Sequence, residues 1–122
     1  MLYYIYIGNS QTAIDHLSKV TNGMFVTVSG ARKAAKIIDG IRERYNTSIL
    51  YEESTPQKDS QNITFLHKRF PRVYIILITE GLQKEHRKLY LQAGVNNTLS
   101  PMASEESLLQ MVKFLRLRKE HK

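Results

Sequence analysis

The chain has no cysteine. That excludes disulfide frameworks, thiolate metal sites and cysteine nucleophiles, and it fits a reducing compartment. A targeting segment is missing too: MLYYIYIGNS has no basic region and only about seven apolar residues, too few for a signal peptide or a membrane span. A cytoplasmic protein is expected, and the N-x-S/T matches at Asn46, Asn62 and Asn96 then carry no weight as glycosylation sites. No G-x-G-x-x-G, Walker lysine or G-x-S-x-G occurs, so Ser10, Ser29 and Ser100 have no case as nucleophiles. His16, His67, His86 and His121 lack metal-ligand spacing and are expected on exposed helix faces. These absences point away from an enzyme, a resident cofactor or a metal.

Acidic residues are few, 11 against 18 Lys and Arg, for a net charge of +7. Such a balance invites a nucleic-acid partner. In the sequence, however, the basic residues are scattered: Arg32 to Arg44, His67 to Arg72, Lys84 to Lys88 and Arg116 to Lys122. They fall on several expected helices, with no aromatic–basic stacking motif. Solvated helix faces and a basic tail are the favoured reading.

At 122 residues the chain reads as one domain with one core. Residues 2–7 are apolar without a break, as in a strand buried on both faces of a parallel sheet. Further apolar strands are expected over 24–28, 48–51, 73–78 and 95–99. Between them lie amphipathic helices. Ala13, Ile14, Leu17 and Val20 mark the first, capped by Ser10 and broken at Asn22-Gly23; Ala31, Ala34, Ala35, Ile38 and Ile41 mark the second, with Gly40 a weak point inside it. A polar loop over 54–61 precedes a third helix carrying Ile63, Phe65, Leu66 and Phe70, with Pro71 at its exit. The fourth, very polar, carries Leu82, Leu89 and Ala93 and ends at Gly94. The last begins at Ser104 with Glu105 and Glu106 and buries Leu108, Leu109, Met111, Val112 and Leu115. Tyr3, Tyr4, Tyr6, Tyr51 and Tyr74 are expected in the core, their hydroxyls finding partners at strand edges. Alternation of this kind calls for a doubly wound α/β sandwich, with the working site outside the carboxyl ends of the strands.

The segment SILYEESTPQKD stops a strand on two acids, Glu52 and Glu53, with Pro56 four residues past Glu52 and Asp59 beyond. Further on come Thr79 at the end of a strand, LQAGVNNTLSP to Pro101, and LLQMVKFL. With these residues the whole chain resembles a response-regulator receiver domain, CheY-like and degenerate. The resemblance implies a flavodoxin-like (βα)5 fold of strand order 2-1-3-4-5 and a signalling role, with residues 1–122 standing ahead of an output domain. Glu52 falls on the family's phospho-accepting Asp, with Glu53 an alternative register. Gly8 and Asn9 stand where the metal-binding acid pair is expected, Ser100 where the Lys precedes Pro101, and Thr98 at the aromatic switch position. Thr79 alone matches among the working side chains.

Without metal ligands or lysine, charge on a transferring phosphoryl group has little to stabilise it, and Glu is one methylene longer than Asp. Ordinary Mg²⁺-dependent phosphorylation is therefore not expected. Glu52 is expected to hydrogen-bond Thr79, Ser100 or both; the alternative is that Glu52 and Glu53 reach solvent. The expected partner is a protein, an attached output domain or a second copy, docked on a face holding Glu85, Lys88, Asn96, Asn97, Thr98, Leu109 and Lys113. Two other functions stay open: a flavodoxin-like site for a phosphorylated small molecule or flavin at Gly8-Asn9-Ser10, and nucleic-acid binding through the basic surface.

Overall fold

The computed structural model describes residues 1–21 and 23–120, the last two as backbone only. Asn22, His121 and the end of the basic tail lie outside the described residues. Five parallel strands, β1 (Leu2–Ile7), β2 (Gly23–Val28), β3 (Thr47–Glu52), β4 (Tyr74–Ile78) and β5 (Asn97–Leu99), stand in the order β2-β1-β3-β4-β5. The helices are α1 (Gln11–Ser18), α2 (Ala31–Asp39), α3 (Pro56–Arg69), α4 (Lys84–Ala93) and α5 (Glu105–Glu120), with a short 3-10 turn at Arg44–Asn46. The expected architecture and strand order are what the structure has.

Strand alternation decides what each side chain meets. Ile5, Ile7, Ile49, Tyr51, Ile75 and Leu77 face one way and pack on α2, α3 and α4. Tyr4, Tyr6, Leu50, Ile76 and Ile78 face the other way, onto α1 and α5. The central strands β1, β3 and β4 are buried almost throughout, as continuous apolar runs demand, whereas β2 and β5 are edges and more open. The caps at Ser10 and Ser104 form as expected: the Ser10 hydroxyl accepts from Ala13 N–H, and the Ser104 hydroxyl from Ser107 N–H.

The structure corrects several local expectations. Residues 56–61 are not loop. They form the first turns of α3, with Pro56 at the start, where a missing N–H does no harm. Gly40 does not interrupt α2 but ends it, donating to the Ile37 and Ile38 carbonyls. The burial of α4 rests on Tyr90 and Ala93, with Leu89 only half-buried. Leu109 is exposed, so the buried stripe of α5 is Leu108, Val112 and Leu115. His16, His67 and His86 are half-buried, not exposed; the His16 ring meets the Ala103 carbonyl at 2.6 Å and ties α1 to the segment before α5. Tyr4 is buried, and its hydroxyl has no partner among the described residues.

Candidate functional site

Glu52 closes β3, and its side chain lies on the α1 side of the sheet, as Leu50 does two residues earlier. It therefore meets β1, not β4. Glu52 Oε1 accepts from the Tyr6 hydroxyl at 2.7 Å and from Ser10 N–H at 2.9 Å, and Oε2 accepts from Asn9 N–H at 3.3 Å. The carboxylate thus sits at the amino end of α1, where unpaired N–H groups and the helix dipole both favour negative charge. Burial, reinforced by the hydrogen bond to this carboxylate and by its charge, pushes the Tyr6 phenol well above its ordinary value.

Gly8 makes the arrangement possible. Its φ is +153°, a conformation that favours glycine, and a Cβ there would come within 2.6 Å of Glu52 Cβ and Cδ. Any side chain at position 8, an acid included, would collide with Glu52 as it stands.

The expected bond from Glu52 to Thr79 or Ser100 is not present. Glu53 takes that role: the Thr79 hydroxyl donates to Glu53 Oε1 at 2.7 Å and accepts from Gly81 N–H at 3.2 Å. Successive residues at a strand end diverge to opposite faces, so one acid turns to β1 and the other to β4. Ser100 is exposed and accepts from Met102 N–H at 3.2 Å. Glu52, Glu53 and Thr79 share a cavity of about 380 Å³ with Tyr6, Ser10 and Glu80, and no lysine or arginine among the described residues lines it. Gly8 and Asn9 border a neighbouring cleft with Lys58 and Asn62, and Glu52 stands between the two.

In the sequence Asp59 is one of the residues that carry the receiver resemblance. It is a buried acid, 1 % exposed. Asp59 accepts from the Tyr90 hydroxyl at 2.8 Å, the Tyr51 hydroxyl at 3.2 Å and Ser54 N–H at 2.7 Å, while Asn62 donates to Tyr51 at 2.9 Å. This network fixes the loop after β3 to α3 and α4. Burial is the main cause of the raised phenol values, to about 12 for Tyr51 and further for Tyr90, with the Asp59 charge adding to it.

The magnesium ion that a receiver fold implies does not fit these residues. Gly8 offers no ligand atom, Asn9 only an amide, and both Glu52 oxygens already accept from the protein. Among the described residues no group of three or more His, Cys, Asp or Glu could hold a metal.

No protein-family model matches the chain, and no curated protein matches it in sequence. Solved structures do. A response regulator from Thermotoga maritima superposes with a TM-score of 0.81 at 12 % identity, covering 94 % of this chain and 97 % of that one. The fold is that of a receiver domain. The signal receiver domain of an HD domain-containing protein from Pseudomonas fluorescens Pf-5 gives 0.80 at 13 % identity, covering 98 % and 90 %. The CheY-like protein TadZ from Pseudomonas aeruginosa gives 0.77 at 12 %, covering 94 % and 93 %. At such identities the receiver fold is shared, while site chemistry has to be argued from this chain's own residues.

The face formed by α4, β5 and α5 presents Glu85, Lys88, Asn96, Asn97, Thr98, Leu109 and Lys113 to solvent. Asn96 is also structural, since its Oδ1 accepts from Ile75 N–H at 2.8 Å. Apolar grooves lie on both sides of the three-residue edge strand, one toward Leu91 and one toward Phe114. Among the described residues no helix is long and apolar enough to cross a membrane.

Proposed function

We propose that this chain is a regulatory receiver-type module that acts through protein contacts and does not run a phosphorylation cycle. The observation that carries this reading is the Glu52 carboxylate, held by Tyr6, Ser10 and Asn9 in the space that Gly8 leaves open. A phosphoryl group on the Thr79 side of Glu52 would meet Glu52, Glu53 and Glu80, with no lysine or arginine among the described residues lining that cavity, while Lys58 lines the cleft on the Gly8 side. Like charges at a few Å cost several kcal/mol even in a partly solvated site, on the order of 4 for one pair.

The exposed surface of α4, β5 and α5 suits a protein partner: an attached output domain, a separate effector or a second copy. It combines a short free strand edge with exposed Leu91, Leu109 and Phe114 and a mixed-charge rim. A cytoplasmic, non-enzymatic role belongs to the same reading. The flavodoxin-like alternative is less well supported, because the Asn9 and Ser10 amides that would hold a ligand phosphate already donate to Glu52.

The test is amide NMR with Mg²⁺ and beryllofluoride. The expected result is no change beyond the general salt effect. Large, saturable shifts of the Glu52 and Thr79 amides would overturn the reading.

A further inference from the structure

The end of the sheet opposite this site gathers arginines that the sequence scatters. Arg44 and Arg69 lie over the Phe70 ring, their guanidinium carbons 4.9 and 5.6 Å from its centroid. Arg72 and Arg118 lie over Tyr45 at 5.4 and 5.8 Å, and Arg118 is also 5.1 Å from the Tyr74 centroid. The four come from the turn at Arg44–Asn46, the end of α3, the entry to β4 and the last turns of α5. Arg118 is fixed further by donating to the Tyr45 and Arg72 carbonyls, and Arg44 by donating to the Ile41 carbonyl.

Among the described residues one carboxylate pairs with this group, Asp39 with Arg69 at 2.7 Å. Cations at helix C-termini are ordinary, which accounts for Arg69 and Arg118. It does not account for Arg44 and Arg72, which stand outside the α-helices. Burial lowers the Arg118 guanidinium from its ordinary value. Four guanidinia on shared rings, with one ion pair to a carboxylate among the described residues, form a preorganised anion surface. Exposed Arg42, Lys68 and Arg116 adjoin these residues in the chain.

We propose that this amino-end surface binds the phosphodiester backbone of nucleic acid. The planar guanidinium fork suits phosphate oxygens, and a line of phosphates can engage arginines from several elements at once. The Tyr45 and Phe70 rings already carry guanidinia, so bases do not stack on them and recognition is of the backbone, not of sequence. The acids Glu52, Glu53, Glu80, Glu105 and Glu106 belong to the opposite end, while Asp39, Glu43 and Glu120 fall in sequence at the arginine end against Arg42, Arg44, Lys68, Arg69, Arg72, Arg116 and Arg118, so the excess of cations there favours a polyanion. This inference is independent of the protein-contact reading above.

The test is fluorescence anisotropy of the full chain with labelled random-sequence 20-mer DNA, single- and double-stranded, at 50 and 200 mM salt. Binding is expected to be sequence-independent and to fall steeply with salt. The double variant Arg72→Ala, Lys68→Ala is expected to weaken it about tenfold and to flatten the salt slope by about two. The control Arg32→Ala, Lys33→Ala removes the same charge from the start of α2 and is expected to have less than half that effect on log affinity. Polyglutamate and phosphatidylserine vesicles serve as competing polyanions. No binding at 50 mM salt, an equal loss in the control, or equal affinity for either competitor would overturn the proposal.

Discussion

Replacing Glu52 by Ala tests the site most directly. The side chain accepts two short hydrogen bonds, 2.7 Å from the buried Tyr6 hydroxyl and 2.9 Å from Ser10 N–H, and one longer one of 3.3 Å from Asn9 N–H. Hydrogen bonds to an ionised acceptor contribute about 1.5–3 kcal/mol each, and a donor left unpaired in the interior costs about 1–3. Glu52 borders open cavities, so water can satisfy Ser10 and Asn9 after truncation, and the low end applies. The expected loss is about 2–3 kcal/mol, a large share of the roughly 5–15 that holds a domain together. For a chain of this size that lowers Tm by roughly 10 °C.

Glu52→Gln keeps the volume and one acceptor oxygen and should lose about 1 kcal/mol. Glu52→Asp, one methylene shorter, cannot reach Tyr6 and Ser10 together and should fall between the other two. Urea titration at pH 7 reads all three as changes in midpoint at constant slope. If all three variants stay within about 0.5 kcal/mol of the parent, the range of ordinary surface substitutions, Glu52 is a solvated strand end and the reasoning is wrong.

Other expectations follow from the same contacts. Asp59→Ala leaves the Tyr51 and Tyr90 hydroxyls unpaired in the core and should cost about 3 kcal/mol or more, seen as a sharply lower urea midpoint. Gly8→Ala combines a φ of +153° with a 2.6 Å approach to Glu52; it should cost about 2 kcal/mol and move the Ser10 amide resonance as the carboxylate is displaced. Tyr4 and Tyr51 titrate near 12 in the fold, against about 10 unfolded, and Tyr6 and Tyr90 higher still. A raised phenol value stabilises the protonated fold, so this contribution is complete below pH 10 and is lost as pH rises from 10 through 12. Denaturation monitored by tyrosinate absorbance should show the buried tyrosines ionising together with unfolding; titration of Tyr4, Tyr6, Tyr51 and Tyr90 near pH 10 without unfolding would contradict the buried network.

The sheet was legible because its signal is simple: unbroken apolar runs such as Leu2–Ile7 and 73–78 have little alternative to a central parallel strand. The opening of α3 was not legible. Pro56, Gln57, Lys58, Asp59 and Ser60 read as loop by composition, yet Pro56 suits a first helical turn, and Asp59 is buried because two tyrosines from distant segments converge on it. The acids at positions 52 and 53 were found, but the Thr79 bond expected of Glu52 is made by Glu53. A one-residue difference sends a side chain to the other face of a strand, and the pleat phase could be read from Leu50 and Tyr51 only once their neighbours were known. The arginine cluster was missed for the opposite reason. Its members are up to 74 residues apart, from Arg44 to Arg118, and meet only at the amino edge of the folded sheet.

Gly8 and Glu52 work as one unit: the space left at one is filled by the other. An acid at position 8 would collide with the glutamate and repel it, while a glycine facing a shorter side chain would leave the α1 amides to solvent. With both in place the longer carboxylate reaches those amides and supplies the negative charge that the end of α1 favours. Thr79 is committed in parallel to Glu53, which ties β3 to the segment after β4. The carboxyl end of the sheet is thus satisfied internally, by hydrogen bonds that need neither cation nor phosphoryl group. On the proposed reading, a Glu52 carboxylate whose two oxygens already accept from Tyr6, Ser10 and Asn9 is a poor nucleophile toward a phosphoryl donor. On the same reading, any differential affinity between conformations comes from contacts on the outer surfaces of the domain.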